Sequence, residues 1–504
     1  MRSSKEKSSN FVFLTAVSIA LIIVLIGVIR PDVLTSAASA MFVFVEEKFA
    51  WLYLMAMLFF VFFCLGIAFG PYGKVRLGSD DARPEYSNVS WFAMLFCAGM
   101  GVGLVFYGVT EPLSHYVSPM EGIEPGTLEA ARFSIRASFM HWGVHPWSAY
   151  ALVGLGLAYS QFRKNRPGLI SGLFAPLLGE KASESRIGKI IDIFSIIVSV
   201  TGVATTLGMA CIQICGGMEY LFGLPNNARV WLVVIVVICC IYLLSATTGL
   251  DKGIRFLSNC NLYLALALLV MAFLVGPTGD ILNAFVSGFG DYLDCFFADS
   301  LHLPPFQSNT WIMDWRIFYW AWWISWAPFV GIFVARISKG RTIKEFIIGA
   351  ILVPSVASTI WFSVFGGVGL SAAKDFTLEA LQSIVAVPET AIFIIFEKLP
   401  FGGIMSVIAL ILLIIFFITS ADSATFVLSM MTTNGNLNPP NTRKIIWGII
   451  QAAMAYVLLL SGGLKALQTA TIAAACPFVI IMLAACWSII KDLRRSESVR
   501  KQEK

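Results

Sequence analysis

Phe318-Tyr-Trp-Ala-Trp-Trp-Ile-Ser-Trp-Ala-Pro328 lies inside an apolar segment long enough to cross a bilayer. Four tryptophans, Trp320, Trp322, Trp323 and Trp326, fall within seven residues. On a helix, Trp322 and Trp323 precede Trp326 by four and three positions and share one side with it, and Phe329 and Phe333 follow close to that side. Aliphatic side chains cannot reproduce the chemistry of such a wall. Its negative ring faces can hold a cation that has no N–H to donate, such as a trimethylammonium group. The competing reading is a membrane-interface belt, in which Trp and Tyr rings sit at headgroup depth. A belt scatters aromatics around a helix end, whereas these run consecutively into the helix.

The rest of the chain agrees with a membrane setting. Of 504 residues, 58% are hydrophobic and 13% charged, and the mean hydropathy is +0.81. Soluble domains carry about 25% charged residues, so the chain reads as an all-α polytopic membrane protein. The ten cysteines form no disulfide framework; most sit in apolar spans without metal-ligand spacing. The start Met1-Arg-Ser-Ser-Lys-Glu-Lys leads into a span too long for a signal peptide and shows no cleavage site. No nucleic-acid partner is implied by the net charge of +5, which follows membrane topology.

Twelve transmembrane helices are expected near 10–30, 50–69, 89–108, 137–161, 188–218, 229–247, 256–277, 314–336, 344–370, 404–433, 445–462 and 469–490, between short tails at 1–9 and 491–504. The loops test this count. Those at 70–88, 162–189, 248–255, 337–344 and 434–444 are rich in Lys and Arg. The alternate loops are acidic or nearly uncharged: one carries Glu111, Glu121, Glu124 and Glu129, and 278–313 carries Asp280, Asp291, Asp294 and Asp299. The positive-inside rule then places both termini in the cytoplasm of a multi-pass cell-membrane protein. Segments 278–313 and 373–403 read as short external helices on the membrane face. The C-terminal tail reads as disordered and membrane-adjacent.

Three stretches place flexible or polar residues inside spans. Ala98-Gly-Met-Gly-Val-Gly103 alternates glycine, which suits either close helix packing or a broken helix whose free amides face a carboxylate and whose free carbonyls face a cation. His141-Trp-Gly-Val-His-Pro-Trp147 continues to Tyr150 and gives a second aromatic wall; its two histidines are four apart but have no third ligand beside them. Thr419-Ser-Ala-Asp-Ser423 carries hydroxyls suited to a small hard cation, and Asp422 there is either a cation ligand or a partner for neighbouring helices. No nucleophile–base pair or metal cluster is apparent, so an enzyme is not expected.

With these stretches together the chain resembles the betaine/choline/carnitine transporter family from about residue 10 to 490. The resemblance rests on Gly99-Met-Gly-Val-Gly103, Tyr107-Gly-Val-Thr-Glu-Pro112, His141-Trp-Gly, Trp320-Ala-Trp-Trp-Ile-Ser-Trp326 and Ala335-Arg-Ile-Ser-Lys-Gly-Arg341. It implies a LeuT-type fold, with spans 3–7 and 8–12 as inverted repeats, and a homotrimer in contact with membrane lipids. It makes Trp142, Trp147, Tyr150 and Trp323 the substrate cage, with Gly99, Met100, Gly101 and Gly103 beside it. Trp322 and Trp326 become the cytoplasmic path and Phe318 the external side, whereas the residue pattern alone had put Trp322 and Trp326 in the cage.

The resemblance also bears on substrate and ion. Choline carriers of the family tend to put Asp at the last glycine, and Gly103 here favours a betaine. One sodium site would use Cys97, Met100 and Phe416 through backbone oxygens with the hydroxyls of Thr419 and Ser420. Sodium-independent exchangers carry arginine where this chain has Asn261. A second site would need hydroxyls at Ser199 and Val203, and Val203 has none. The expected function is sodium-coupled symport of glycine betaine or a similar trimethylammonium compatible solute in osmoprotection, with sodium as the coupling ion and no cofactor. A sodium-independent carnitine/betaine exchanger or a choline transporter is the alternative, and a betaine-binding osmosensor is a further one. The short tails lead to an expectation of weak or lipid-dependent osmotic activation.

Overall fold

The computed structural model describes residues 2–99, 101–248, 251–306 and 310–502, with side chains described except at 2–7, 96–99, 251–255 and 497–502. Among the described residues every regular element is helical, and the only strand-like pairing is an isolated bridge between Arg76 and Thr342. In hydrocarbon each backbone N–H and C=O needs a partner within the chain, and a helix supplies it locally.

The chain opens with α1 (Arg2–Ile29) and α2 (Pro31–Phe69). Then come α3 (Asn88–Gly99), α4 (Val102–Val117), α5 (Leu128–Trp142), α6 (Val144–Ala158) and the short α7 (Ala175–Leu178). The long α8 (Arg186–Phe222) is followed by α9 (Ala228–Thr248), α10 (Asp251–Val275), α11 (Thr278–Asp294) and α12 (Phe296–Ser300). The tryptophan wall forms α13 (Phe318–Arg336), entered through a π-helical turn at Ile312–Ile317. The remainder is α14 (Ile343–Ala372), α15 (Leu378–Val385), α16 (Pro388–Phe396), α17 (Gly402–Met431) and α18 (Asn441–Gln502). Helix starts follow capping chemistry: Thr342 and Glu345 make a reciprocal capping box at α14, and Ser185 caps α8.

Nine helices among the described residues are long and apolar enough to cross a membrane. Two expected spans, 89–108 and 137–161, are not single helices. The first is interrupted between α3 and α4, where Gly101 is extended (φ −155°, ψ −173°). The second breaks at Gly143 (φ −87°, ψ −136°), where a Cβ would lie 2.4 Å from the Phe139 carbonyl oxygen. Periodicity cannot see such a break, because the apolar pattern runs through it. The expected last two spans are two helices that meet within α18 at a kink, where Gly462 and Gly463 are non-helical.

The basic segments gather on one face. Leu77 N donates to Arg341 O and Gly340 N to Leu77 O, both at 2.8 Å, which ties loop 70–88 to loop 337–344. Arg163 reaches Gly78 O (2.8 Å) and Asp80 (2.8 Å), and Arg443 donates to Asn10 Oδ1 (2.6 Å) in α1. The expectation of a disordered C-terminal tail is corrected: α18 continues to Gln502. Asp492 pairs with Arg166 at 2.5 Å and Ser496 with Tyr159 at 2.7 Å, contacts that hold the helix end against residues 159–166. The short helices expected at 278–313 and 373–403 are α11, α12, α15 and α16.

Candidate substrate site

α13 packs along α6, and α4 packs against α14 and α5. Where these meet, a cavity of about 210 Å³ opens between the α3–α4 interruption and the aromatic faces of α5, α6 and α13. That volume suits a compact solute rather than a macromolecule.

The cavity gathers residues from both aromatic stretches. Trp142, Trp147, Tyr150, Trp322, Trp323 and Trp326 all line it. Five of these rings are contiguous: Trp142 to Trp323 is 4.8 Å (73°), Tyr150 to Trp323 6.3 Å (89°), Trp147 to Tyr150 5.3 Å (84°) and Trp322 to Trp323 4.8 Å (16°), while Trp326 packs on Phe329. Each indole on α13 that lines the cavity is fixed by its N–H. Trp323 donates to His141 O (2.9 Å), Trp322 to Thr206 Oγ1 (3.1 Å) and Trp326 to Gly202 O (3.0 Å). These bonds explain how adjacent rings stay turned in one direction, which a helical wheel alone does not require. Phe318 does not line the cavity and stacks behind Trp322 (5.6 Å, 15°).

Opposite the rings stands the first turn of α4, with Gly101, Val102, Gly103 and Leu104. Gly103 is there for close approach. A Cβ at this position would sit 2.7 Å from Trp322 Cη2 and 2.8 Å from Trp142 Cη2. The side chains of Cys97 and Gly99 and the whole of Met100, named by the sequence reading, lie outside the described residues.

The polar end of the cavity contains Phe416, Thr419, Ser420 and Ser423 from α17 and Ser258 and Asn261 from α10. Asn261 Nδ2 donates to Thr419 Oγ1 (3.0 Å), while the Thr419 hydroxyl bonds back to Ile415 O (2.9 Å). The Thr419 and Ser420 oxygens are of the kind a small hard cation accepts. Ser199 and Val203 are buried in α8 and do not line the cavity. Thr206, also on α8 and not among the expected cavity residues, lines the cavity and anchors Trp322.

Two further expectations are corrected by Glu111. It is not in an external loop but fully buried in α4, and the fold assembles it with His115 and His141 into a group of metal-ligand composition. His115 is one turn on, but His141 comes from another helix, so chain spacing could not reveal the trio. The donors around it argue for a filled carboxylate rather than a metal ligand. His141 Nδ1 lies 2.7 Å from Oε1 and His115 Nε2 3.4 Å from it; Trp142 Nε1 donates to Oε2 at 2.8 Å, and the Tyr319 hydroxyl donates to the same oxygen. Trp311 Nε1 donates to His115 Nδ1 (3.3 Å), so the His115 proton sits on Nε2, toward Glu111. Around this group the rings of Trp311, Trp315, His115, His141 and Tyr319 interlock at 4.4–6.3 Å and close the cavity on that side. The other end reaches Phe333, toward the face with the basic loops.

None of the described residues lining the cavity carries a charge. An uncharged aromatic cavity among membrane-length helices, beside an interrupted helix, is the arrangement of a solute carrier. The chain belongs to the BCCT family, betaine/carnitine/choline family transporters, whose pattern it matches over residues 11–498. It is 47% identical over 503 residues to the glycine betaine transporter OpuD of Bacillus subtilis (99% of this chain, 97% of that one). It is also 43% identical to a probable glycine betaine transporter of Desulfitobacterium hafniense (98% and 99%) and 41% identical to an ectoine/hydroxyectoine transporter of Virgibacillus pantothenticus (99% and 100%). Members of this family are transporters, not enzymes.

Proposed function

We propose that the chain is a sodium-coupled symporter of glycine betaine or a similar zwitterionic compatible solute. The observation that carries this reading is the cavity in which Trp142, Trp147, Tyr150 and Trp323 stand across from the α4 first turn with no charged residue among the described lining residues. Ring faces attract the trimethylammonium end at about 0.5–2 kcal/mol per contact. The free amides and positive dipole end of α4 suit the carboxylate end. A solute of zero net charge then needs no counter-ion in the cavity, whereas choline would lack one. The relatives' solutes support the same class, since glycine betaine and ectoine are both zwitterions.

Sodium would bind at the polar end, through the hydroxyls of Thr419 and Ser420 and the backbone oxygen of Phe416, with Cys97 and Met100 contributing from the α3 end. Asn261, where an exchanger would carry a fixed positive charge, supports a need for the ion. Twelve spans in a LeuT-type arrangement fit the helices: nine are apolar and long enough to cross, two more are each interrupted once, and α18 bends at Gly462–Gly463. Closure around Trp311 and reach toward Phe333, with basic loops taken as cytoplasmic, support an inward-facing state of an alternating-access cycle. A homotrimer follows from the family resemblance and is testable by native mass spectrometry in detergent.

The deciding experiment is radiolabelled betaine uptake into proteoliposomes with and without an inward sodium gradient, with choline, carnitine and ectoine as competitors. Concentrative uptake only with sodium, resistant to choline, is expected. Sodium-independent exchange, or preference for choline, would overturn the proposal.

A further inference from the structure

The described lining of the cavity holds no charge, yet a carboxylate stands directly behind one of its walls. Trp142 spans the distance between them. Its indole N–H is bonded to Glu111 Oε2 at 2.8 Å, and the far edge of the same ring borders the cavity beside Gly103, 2.8 Å from where a Cβ would be. Glu111 is fully buried, and no cation is among the groups hydrogen-bonded to it. The groups closest to it are His115 from its own helix, His141 and Trp142 from α5, and Tyr319 from α13; the buried guanidinium of Arg316, in the turn before α13, acts on it electrostatically without a hydrogen bond. Trp142 and Tyr319 donate to one of its oxygens, while His141 Nδ1 at 2.7 Å and His115 Nε2 at 3.4 Å face the other, so each oxygen meets two polar groups. Trp323, the opposite wall, is tied to the same group through its bond to the His141 carbonyl at 2.9 Å.

We infer that Glu111 is the positioning residue of the aromatic cage, fixing Trp142 and the α5–α13 junction, and that its negative charge acts through the Trp142 ring on the cationic end of the solute. The inference rests on the reading of Trp142 and Trp323 as the cage. An anionic acceptor on an indole N–H enriches the ring in electrons and strengthens its attraction for a cation on its face. The arrangement supplies negative potential at the ammonium site while keeping a carboxylate out of the cavity, where it would repel the carboxylate of a zwitterion. Glu111 does not touch the solute; it works through Trp142.

The test uses the purified full-length transporter, with equilibrium binding of radiolabelled glycine betaine and uptake in proteoliposomes, on variants that elute as monodisperse protein. Glu111→Gln keeps the size but turns an amide group toward donors. Its affinity should fall by roughly ten- to hundredfold, as removal of a buried charged acceptor predicts, with the maximal uptake rate per transporter within about twofold. Glu111→Asp keeps the charge and should retain more affinity than Gln. Trp142→Phe keeps a ring but removes the N–H, and in that background Glu111→Gln should cost less than about threefold, the non-additivity expected of coupled residues. Equal losses in the Gln and Asp variants, or additive losses in the double variant, would overturn the inference, as would a wild-type affinity in Glu111→Gln. Trp323→Leu separates the two levels. If it leaves affinity intact the cage reading itself fails; if it abolishes binding while Glu111→Gln binds normally, only the role of Glu111 fails.

Discussion

Substituting Gly103 with alanine tests the cavity geometry most sharply. The added methyl would meet Trp322 Cη2 at 2.7 Å and Trp142 Cη2 at 2.8 Å. Carbon atoms settle at about 3.5–4.0 Å, so each ring must withdraw by roughly 0.7 Å or more, or α4 must move away. Neither ring is free to turn. Trp142 is held by Glu111 at 2.8 Å, and Trp322 is held by Thr206 at 3.1 Å and stacked on Trp323. Overpacking of this kind costs about 1–3 kcal/mol. If most of that strain appears in binding, at about 1.4 kcal/mol per tenfold, betaine affinity falls by roughly ten- to hundredfold. Gly101 supplies the control. It also lines the cavity, but a Cβ there meets nothing within 4 Å, and its φ of −155° suits any residue. Gly101→Ala should therefore change affinity by no more than about threefold, or less than ~0.7 kcal/mol. Equilibrium binding to the two purified variants decides the matter. Equal affinities in Gly103→Ala and Gly101→Ala would refute the argument that Gly103 is present for ring clearance.

Other expectations follow from single contacts. Thr419→Ala combined with Ser420→Ala removes both side-chain oxygens proposed for sodium and should raise the sodium concentration for half-maximal uptake at least about tenfold, a loss of ~1.4 kcal/mol; an unchanged sodium titration would remove this site. Gly143→Ala would place a Cβ 2.4 Å from Phe139 O and 2.8 Å from the Tyr292 hydroxyl, so it should lower the thermal unfolding midpoint in detergent as a core overpacking of about 1–3 kcal/mol does; a wild-type midpoint would mean that the α5–α6 break tolerates a side chain. Arg166→Ala removes the partner shared by Glu180 (2.7 Å) and Asp492 (2.5 Å); hydrogen exchange around residues 490–496 should speed up by about tenfold or more as that end opens locally, and unchanged protection would show that Tyr159 and Ser496 suffice.

The fold class was legible because it rests on quantities the sequence carries locally: apolar length, charge sparsity and the alternation of loop sign. The aromatic stretch 318–328 was legible for the same reason, and so was the glycine run at 99–103. The breaks at Gly101 and Gly143 differ in this respect. Gly101 sits in a run dense enough in glycine to suggest an interruption, whereas Gly143 is a single glycine whose break is set by the Phe139 carbonyl and the Tyr292 hydroxyl packed against it. Thr206 was not legible as a cavity residue, because helical phase says nothing about which neighbour a face will meet. Glu111 was the larger omission. A carboxylate three residues from the end of an expected span reads as loop, and its donors come from positions 30 to 208 residues away in the chain. A helix-compatible Glu111–His115 pair at i,i+4 was the one local sign available.

The cavity also separates two explanations for glycine at position 103. On charge alone, an aspartate there would favour a cation over a zwitterion, because it would bring a carboxylate to the ammonium site and repel the solute's own. On geometry, any side chain at 103 first has to displace Trp142 and Trp322, and displacing Trp142 means pulling against its bond to Glu111. The two effects act on different ligands. Steric loss weakens every solute that needs the rings, whereas added charge weakens zwitterions and helps cations. Gly103→Ala isolates the steric part, and comparison with Gly103→Asp for betaine against choline isolates the charge. A chain that keeps its carboxylate behind the ring and a glycine in front of it can attract the ammonium end without penalising the carboxylate end, which is the combination that a net-neutral solute requires.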